Sequence, residues 1–191
     1  MNKEITSKED ILQICRGIAA TQGFGKITMR AIAQECGIAL GTLYNYYPNK
    51  DELLIAAVKS IWEEIFPEDK DARPALSFPD YAARLFACAR NGTTQYPNFL
   101  TVHSMVLAKS PKGHAKNAME QYFNHMKTGM LEVLQSDPKV SRTAFSPDFP
   151  QSAFIDFVLD NILLLLMQDA ENCTGLTEII RRVIYPRTET V

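Results

Sequence analysis

The chain has 191 residues, 46% hydrophobic and 22% charged, which is enough apolar chain for one or two globular domains and unlike the sparse, highly charged composition of disordered proteins. Its formal net charge is −2, and residues 1–52 balance six basic against six acidic side chains, so overall charge gives no sign of a nucleic-acid partner. The first ten residues hold no apolar signal core, and the longest uncharged apolar run, Ile162 to Met167, falls far short of the roughly 20 residues of a bilayer span, which points to a cytoplasmic protein.

The first predicted helix opens on one of two capping signals, Thr6 with Glu9 or Ser7 with Asp10. It turns Ile11, Leu12, Cys15, Ile18 and Ala19 inward and stops at Gly23. After the tight link Gly23-Phe24-Gly25, Thr28 is an N-cap for a helix of about two turns whose inner face is Ile32, Ala33 and Cys36. Gly37 sits where a left-handed residue ends such a helix without a Cβ penalty, and Ile38 can fold back onto the apolar face. A second short helix, from about Ala39 to Tyr46, directs Leu43 and Tyr47 at the first and leaves Thr42, Tyr44, Asn45 and Tyr46 largely outward. Pro48 closes it, and Asn49 with Glu52 resembles a capping box for the next helix. Two short helices across a Gly-bearing turn have helix-turn-helix geometry, though an ordinary helical hairpin reads the same way by spacing alone.

From Asn49 the third of these helices runs through Leu53, Leu54, Ala57, Val58, Ile61 and Trp62 to about Phe66, a bridge from the front of the chain to the rest. A charged, Pro-bearing loop over 68–79 follows. Helices are then expected over 80–96, 98–109, 113–135, 151–171 and 177–185, with a polar connection over 136–150. No stretch alternates with period two and no repeat is present, so the chain reads as all-α. The 151–171 helix is apolar nearly all round and must be covered on several sides. With 177–185 it can pair with a second subunit through Phe154, Phe157, Val158, Leu165, Ile179 and Val183, or lie at the centre of a monomer's core.

The run Gly41-Thr42-Leu43-Tyr44, then Tyr46-Tyr47-Pro48-Asn49-Lys50 and Glu52-Leu53, resembles the signature of the TetR family of transcriptional regulators. The resemblance covers roughly the first 55 residues, including Thr28, Ala31-Ile32-Ala33 and Gly37. It implies a three-helix DNA-binding domain over 1–52 and an antiparallel helical bundle over 53–191 that dimerises and binds a small effector. The implied activity is that of a one-component regulator, a repressor, on an inverted-repeat operator in double-stranded DNA. In that frame Thr42 and Asn45 hydrogen-bond base edges, Tyr46 does so or touches a thymine methyl, and Ala39 and Gly41 allow close approach. Tyr44 and Lys50 hold phosphates, as do Thr28 and Arg30 on the flanking backbone. The sequence departs from the commoner pattern at Ala39-Leu40, where a hydroxyl and a basic residue are frequent; Leu40 can pack on a thymine methyl instead. Because no Lys or Arg lies between Gly37 and Asn49, binding should depend less steeply on salt than a basic reading helix would make it, with few ionic contacts per subunit.

Aromatic and methionine residues that could line an effector pocket, or simply pack a core, are Phe86, Tyr96, Phe99, Met105, Leu107, Tyr122, Phe123, Met126 and Met130. Polar handles among them are His103 first, then Tyr122, Asn161 and Cys88, and they suit a small apolar or amphipathic effector. Cys15, Cys36, Cys88 and Cys173 form no paired-Cys or Cys/His set, so no metal is expected, and they read as apolar residues of a reducing compartment. No phosphate-binding glycine loop or nucleophile, base and orienter set is recognisable, so no cofactor and no enzyme are expected. Two other readings remain: a DNA-bound structural or protein-recruiting dimer without an effector, and a helical binding protein or enzyme whose hairpin never meets DNA.

Overall fold

The computed structural model describes residues 7–66, 76–102, 105 and 114–186, with the side chains of 114–119 and 121 left aside. Among the described residues the fold is all-α, with an isolated bridge between Ser146 and Phe149 as its only extended pairing. The helices are α1 (Lys8–Gln22), α2 (Met29–Glu35), α3 (Leu40–Tyr46), α4 (Lys50–Ile65), α5 (Phe78–Gln95), α6 (His114–Ser136), α7 (Gln151–Met167) and α8 (Thr174–Ile184). None of them is long and apolar enough to cross a membrane.

The chain forms two compact units, one of residues 1–65 and 91–121, the other of 66–90 and 122–191. In the first, α1 begins on the second of its two possible caps. Ser7 Oγ accepts from the Asp10 amide at 3.1 Å, and the Asp10 carboxylate accepts from the Ser7 amide at 2.7 Å. These bonds hold the Asp10 carboxyl below its ordinary pKa. Helix α1 packs on α4 and α2 over a core that includes Ile11, Cys15, Ile27, Ile32, Leu53 and Trp62. Burial pushes the Cys15 thiol up to about 12, which keeps it protonated and inert.

The second unit is built on Phe78, Met130, Val133, Phe154, Val158 and Ile180. Its helix α5 starts two residues before the expected 80, because Ser77 caps Asp80 and Pro79 is tolerated in a first turn. The connection over 137–150 is ordered by buried Asp137. That carboxylate accepts from the Phe78 amide at 2.8 Å, the Tyr185 hydroxyl at 2.7 Å and the Lys139 amide at 3.0 Å. Helix α7 ends at Met167, four residues short of the expected end, where Asp169 takes a left-handed φ of 53° and the Ala170 amide bonds back to Leu165 O. Helix α8 starts at Thr174 rather than 177.

Candidate nucleic-acid interface

Helices α2 and α3 meet across a turn whose chemistry is local. Thr28 Oγ1 accepts from the Ala31 amide at 3.2 Å and so starts α2. At the other end Gly37 adopts φ 63°, its amide bonds to Gln34 O, and the Ile38 amide reaches back to Ala33 O at 3.0 Å. This is a full Schellman stop with its apolar fold-back residue, placed where the sequence puts it. Ala39 then enters α3 without any side-chain cap. Leu43 is fully buried and Tyr47 nearly so, and they hold α3 to its own unit while α2 packs beside it. Burial raises the Tyr47 hydroxyl to about 12, and the Lys8 ammonium lies 5.9 Å from the centre of its ring.

The opposite side of α3 is open. Ala39, Gly41, Thr42, Tyr44 and Asn45 are exposed, while Leu40 and Tyr46 are half-buried. A Cβ added at Gly41 would meet no atom within 4 Å, so nothing inside the chain requires glycine there. Thr28 and Arg30 at the start of α2, and Lys50 at the start of α4, are exposed as well. Asn49 Oδ1 accepts from the Glu52 amide at 2.9 Å and fixes the beginning of α4, whereas the Glu52 carboxylate returns to the Asn49 side chain rather than its backbone. The ten residues read as DNA-contacting thus lie on the starts of α2 and α4, along α3 and at its entry.

The expected pocket residues separate. Tyr96 and Phe99 belong to the first unit, where Phe99 packs edge-on against Trp62 at 4.8 Å and stacks with Phe24 at 6.0 Å. Phe86, Cys88, Tyr122, Phe123, Met126, Met130 and Asn161 belong to the second. Of these, Phe86, Met126 and Met130 are buried, Tyr122 meets Phe123 edge-on, and the Asn161 amide is engaged by Phe157 O of its own helix at 2.8 Å. His103 and Leu107 lie outside the described residues, and Met105 is exposed.

Of the expected subunit-contact residues, Phe154 and Val158 point into their own unit's core, Leu165 is half-buried, and Phe157, Ile179 and Val183 are exposed. Leu164 and Met167, 50% and 68% exposed, continue the face of Phe157. Asp156 and Asp160 mark the outward side of α7, and Phe157, Leu164 and Met167 share it at helical spacing.

The sequence model for bacterial regulatory proteins of the tetR family matches residues 11–57. The HTH-type transcriptional repressor KstR of Mycolicibacterium smegmatis is 37% identical over 70 residues, covering 37% of this chain and 33% of that protein. The HTH-type transcriptional regulator UidR of Escherichia coli is 31% identical over 71 residues, covering 37% of this chain and 36% of that protein. The match thus spans about a third of the length of these curated relatives. Among solved structures, BioQ with its double-stranded DNA operator superposes with a TM-score of 0.62 at 18% identity, over 94% of this chain and 98% of that one. The multidrug binding protein EbrR, complexed with imidazole, gives 0.59 at 19% identity over 95% and 91%. At these identities the likeness is one of fold, and it extends over nearly the whole chain.

Proposed function

We propose that this chain, which carries the N-terminal helix-turn-helix domain of the tetR family, is a one-component transcriptional repressor acting in the cytoplasm. Residues 1–52 read DNA, and 53–191 dimerise and bind a small apolar or amphipathic effector. One observation carries the proposal: α3 is held from behind by Leu43 and Tyr47 while its outward face is left open and furnished with small and polar groups. That helix also forgoes stability, since Ala39 is a poor cap and Gly41 a poor helix former that no internal contact demands. Local choices that weaken an element without an internal reason mark a functional surface. KstR is named as a repressor and BioQ was solved on its operator, which supports the same assignment here.

A single short helix reads too few bases for a specific site, so a second copy must bind a half-site roughly 34 Å away under two-fold symmetry. The exposed residues Phe157, Leu164 and Met167 of α7, with Ile179 and Val183 of α8, form the apolar face for that pairing. The effector site falls among Phe86, Cys88, Tyr122, Phe123, Met126 and Met130, and the multidrug-binding name of EbrR agrees with an apolar ligand. An effector acts only through different affinities for the bound and released arrangements.

Selection of bound sequences from random duplex DNA tests the reading. An inverted repeat should emerge. Tyr46→Ala should change the preferred bases, and Lys50→Ala should lower affinity for all sequences about equally. Equal losses for both variants on every sequence would overturn the division of roles, and failure to enrich any sequence would overturn DNA recognition itself.

A further inference from the structure

The unit that contains the helix-turn-helix does not close at the end of α4. Residues 91–102 belong to it as well, and three contacts seat residues 92–99. At Gly92 a Cβ would collide with the Ile65 side chain, so any larger residue there would force that side chain to shift where α5 meets the end of α4. The Phe99 ring fits between Trp62 of α4 and Phe24 of the turn after α1. The third contact is polar. Glu64, on the last turn of α4, accepts through Oε1 from the Tyr96 hydroxyl at 2.8 Å and the Gln95 amide group at 3.1 Å. Its Oε2 accepts from Arg16 Nε of α1 at 3.0 Å, and Arg16 Nη2 holds Glu9 at 2.7 Å.

One carboxylate therefore joins donors from α1 and from residues 95–96. Tyr96 is 2% exposed and the Arg16 side chain 17%, so two of the three donors are shielded from water, while the Glu64 carboxylate is 42% exposed and its bonds are screened on that side. Helices α1 and α4 in turn carry α2 and α3, through the packing of α1 on α2 and the direct entry from α3 into α4.

We propose that Glu64 is the positioning residue of the DNA-binding unit: by holding Arg16 and Tyr96 together it fixes α1 and α4 against residues 92–99 and so sets the attitude of α3. For its functional readout this rests on the DNA-binding reading above. A displacement of residues 96–99 then reaches α3 through a contiguous chain of bonded and packed groups.

The test uses the full chain with Tyr96→Phe, which keeps the ring and removes one donor, and Glu64→Gln, which keeps the shape and removes the charge facing Arg16. In the DNA-free protein, amide hydrogen exchange in α1 and in the last turn of α4 should accelerate about fivefold in both variants, with α7 and α8 unchanged. In selections from random duplex DNA, the preference for one spacer length between half-sites should relax by about fivefold, with base preference inside each half-site retained. Lower thermal stability with spacer preference intact would show a merely structural bond and overturn the proposal. If the unsubstituted chain enriches no inverted repeat, the DNA-binding reading fails by itself. Exchange then decides the positioning role: unchanged α1 exchange in Tyr96→Phe overturns it, and acceleration upholds the bond network.

Discussion

Gly41→Ala separates what α3 needs to fold from what it needs to bind. Gly41 lies in the first turn of α3 with an ordinary negative φ, exposed, and with no atom within 4 Å of where a Cβ would stand. A methyl group there costs nothing inside the protein and restricts the unfolded chain, so stability should rise by roughly 0.5–1 kcal/mol. For a chain of this size that is an increase in Tm of about 1–4 °C, readable by thermal scanning. On DNA the same methyl occupies the space by which the helix approaches the groove. Displacing one close contact should cost at least about 1.4 kcal/mol, or tenfold in operator affinity measured by fluorescence anisotropy. The two effects have opposite signs, which a general disturbance of the fold cannot produce. A variant that is more stable and binds the selected operator within about twofold of the parent would refute the assignment of the α3 face to DNA.

Salt dependence gives an independent check. Lys26, Arg30 and Lys50 are exposed in each subunit, so about six phosphate contacts per dimer predict a slope of log affinity on log salt near −5. A slope of about −10 would need more neutralisation than every cation of residues 1–52 other than the paired Arg16 can supply. Thr28→Ala removes the α2 cap and should cost about 1 kcal/mol in urea unfolding, with weaker DNA binding as α2 frays. Asp137 is 6% exposed; burial raises its pKa, but the Phe78 amide, the Tyr185 hydroxyl and the Lys139 amide outweigh this and hold it below its ordinary 3.8. A lowered folded pKa contributes stability that is present above the unfolded value and lost as pH falls through the folded one. The parent should therefore lose stability below about pH 4 more steeply than Asp137→Asn, which should already be about 2 kcal/mol weaker at pH 7. Asp169→Gly should stabilise by about 0.5 kcal/mol, because Asp169 holds a left-handed backbone at φ 53° that glycine adopts freely.

What the sequence made legible was whatever neighbouring residues settle among themselves. Gly37 with Ile38 marks a stop because the left-handed turn and its fold-back bonds lie within six residues, and Thr28, Asn49 and the Ser7–Asp10 pair are likewise local. The alternation of Leu43 and Tyr47 with Thr42, Tyr44 and Asn45 then orients α3 without any knowledge of the rest of the chain. Tyr96 and Phe99 were legible as buried but not as to where, since periodicity says that a face is covered and never by what. Their partners Glu64, Trp62 and Phe24 lie about 30 to 75 residues away in sequence. In α7 the uncertainty was one of phase. A helix apolar on every side offers no polar stripe to set its rotation except Asp156 and Asp160, and giving those two weight turns Phe157, Leu164 and Met167 outward and Phe154 and Val158 inward. In α3 the open face, uncapped entry and unneeded glycine are each costly to a helix that has only itself to stabilise. They become favourable together once a surface outside the chain supplies the missing contacts.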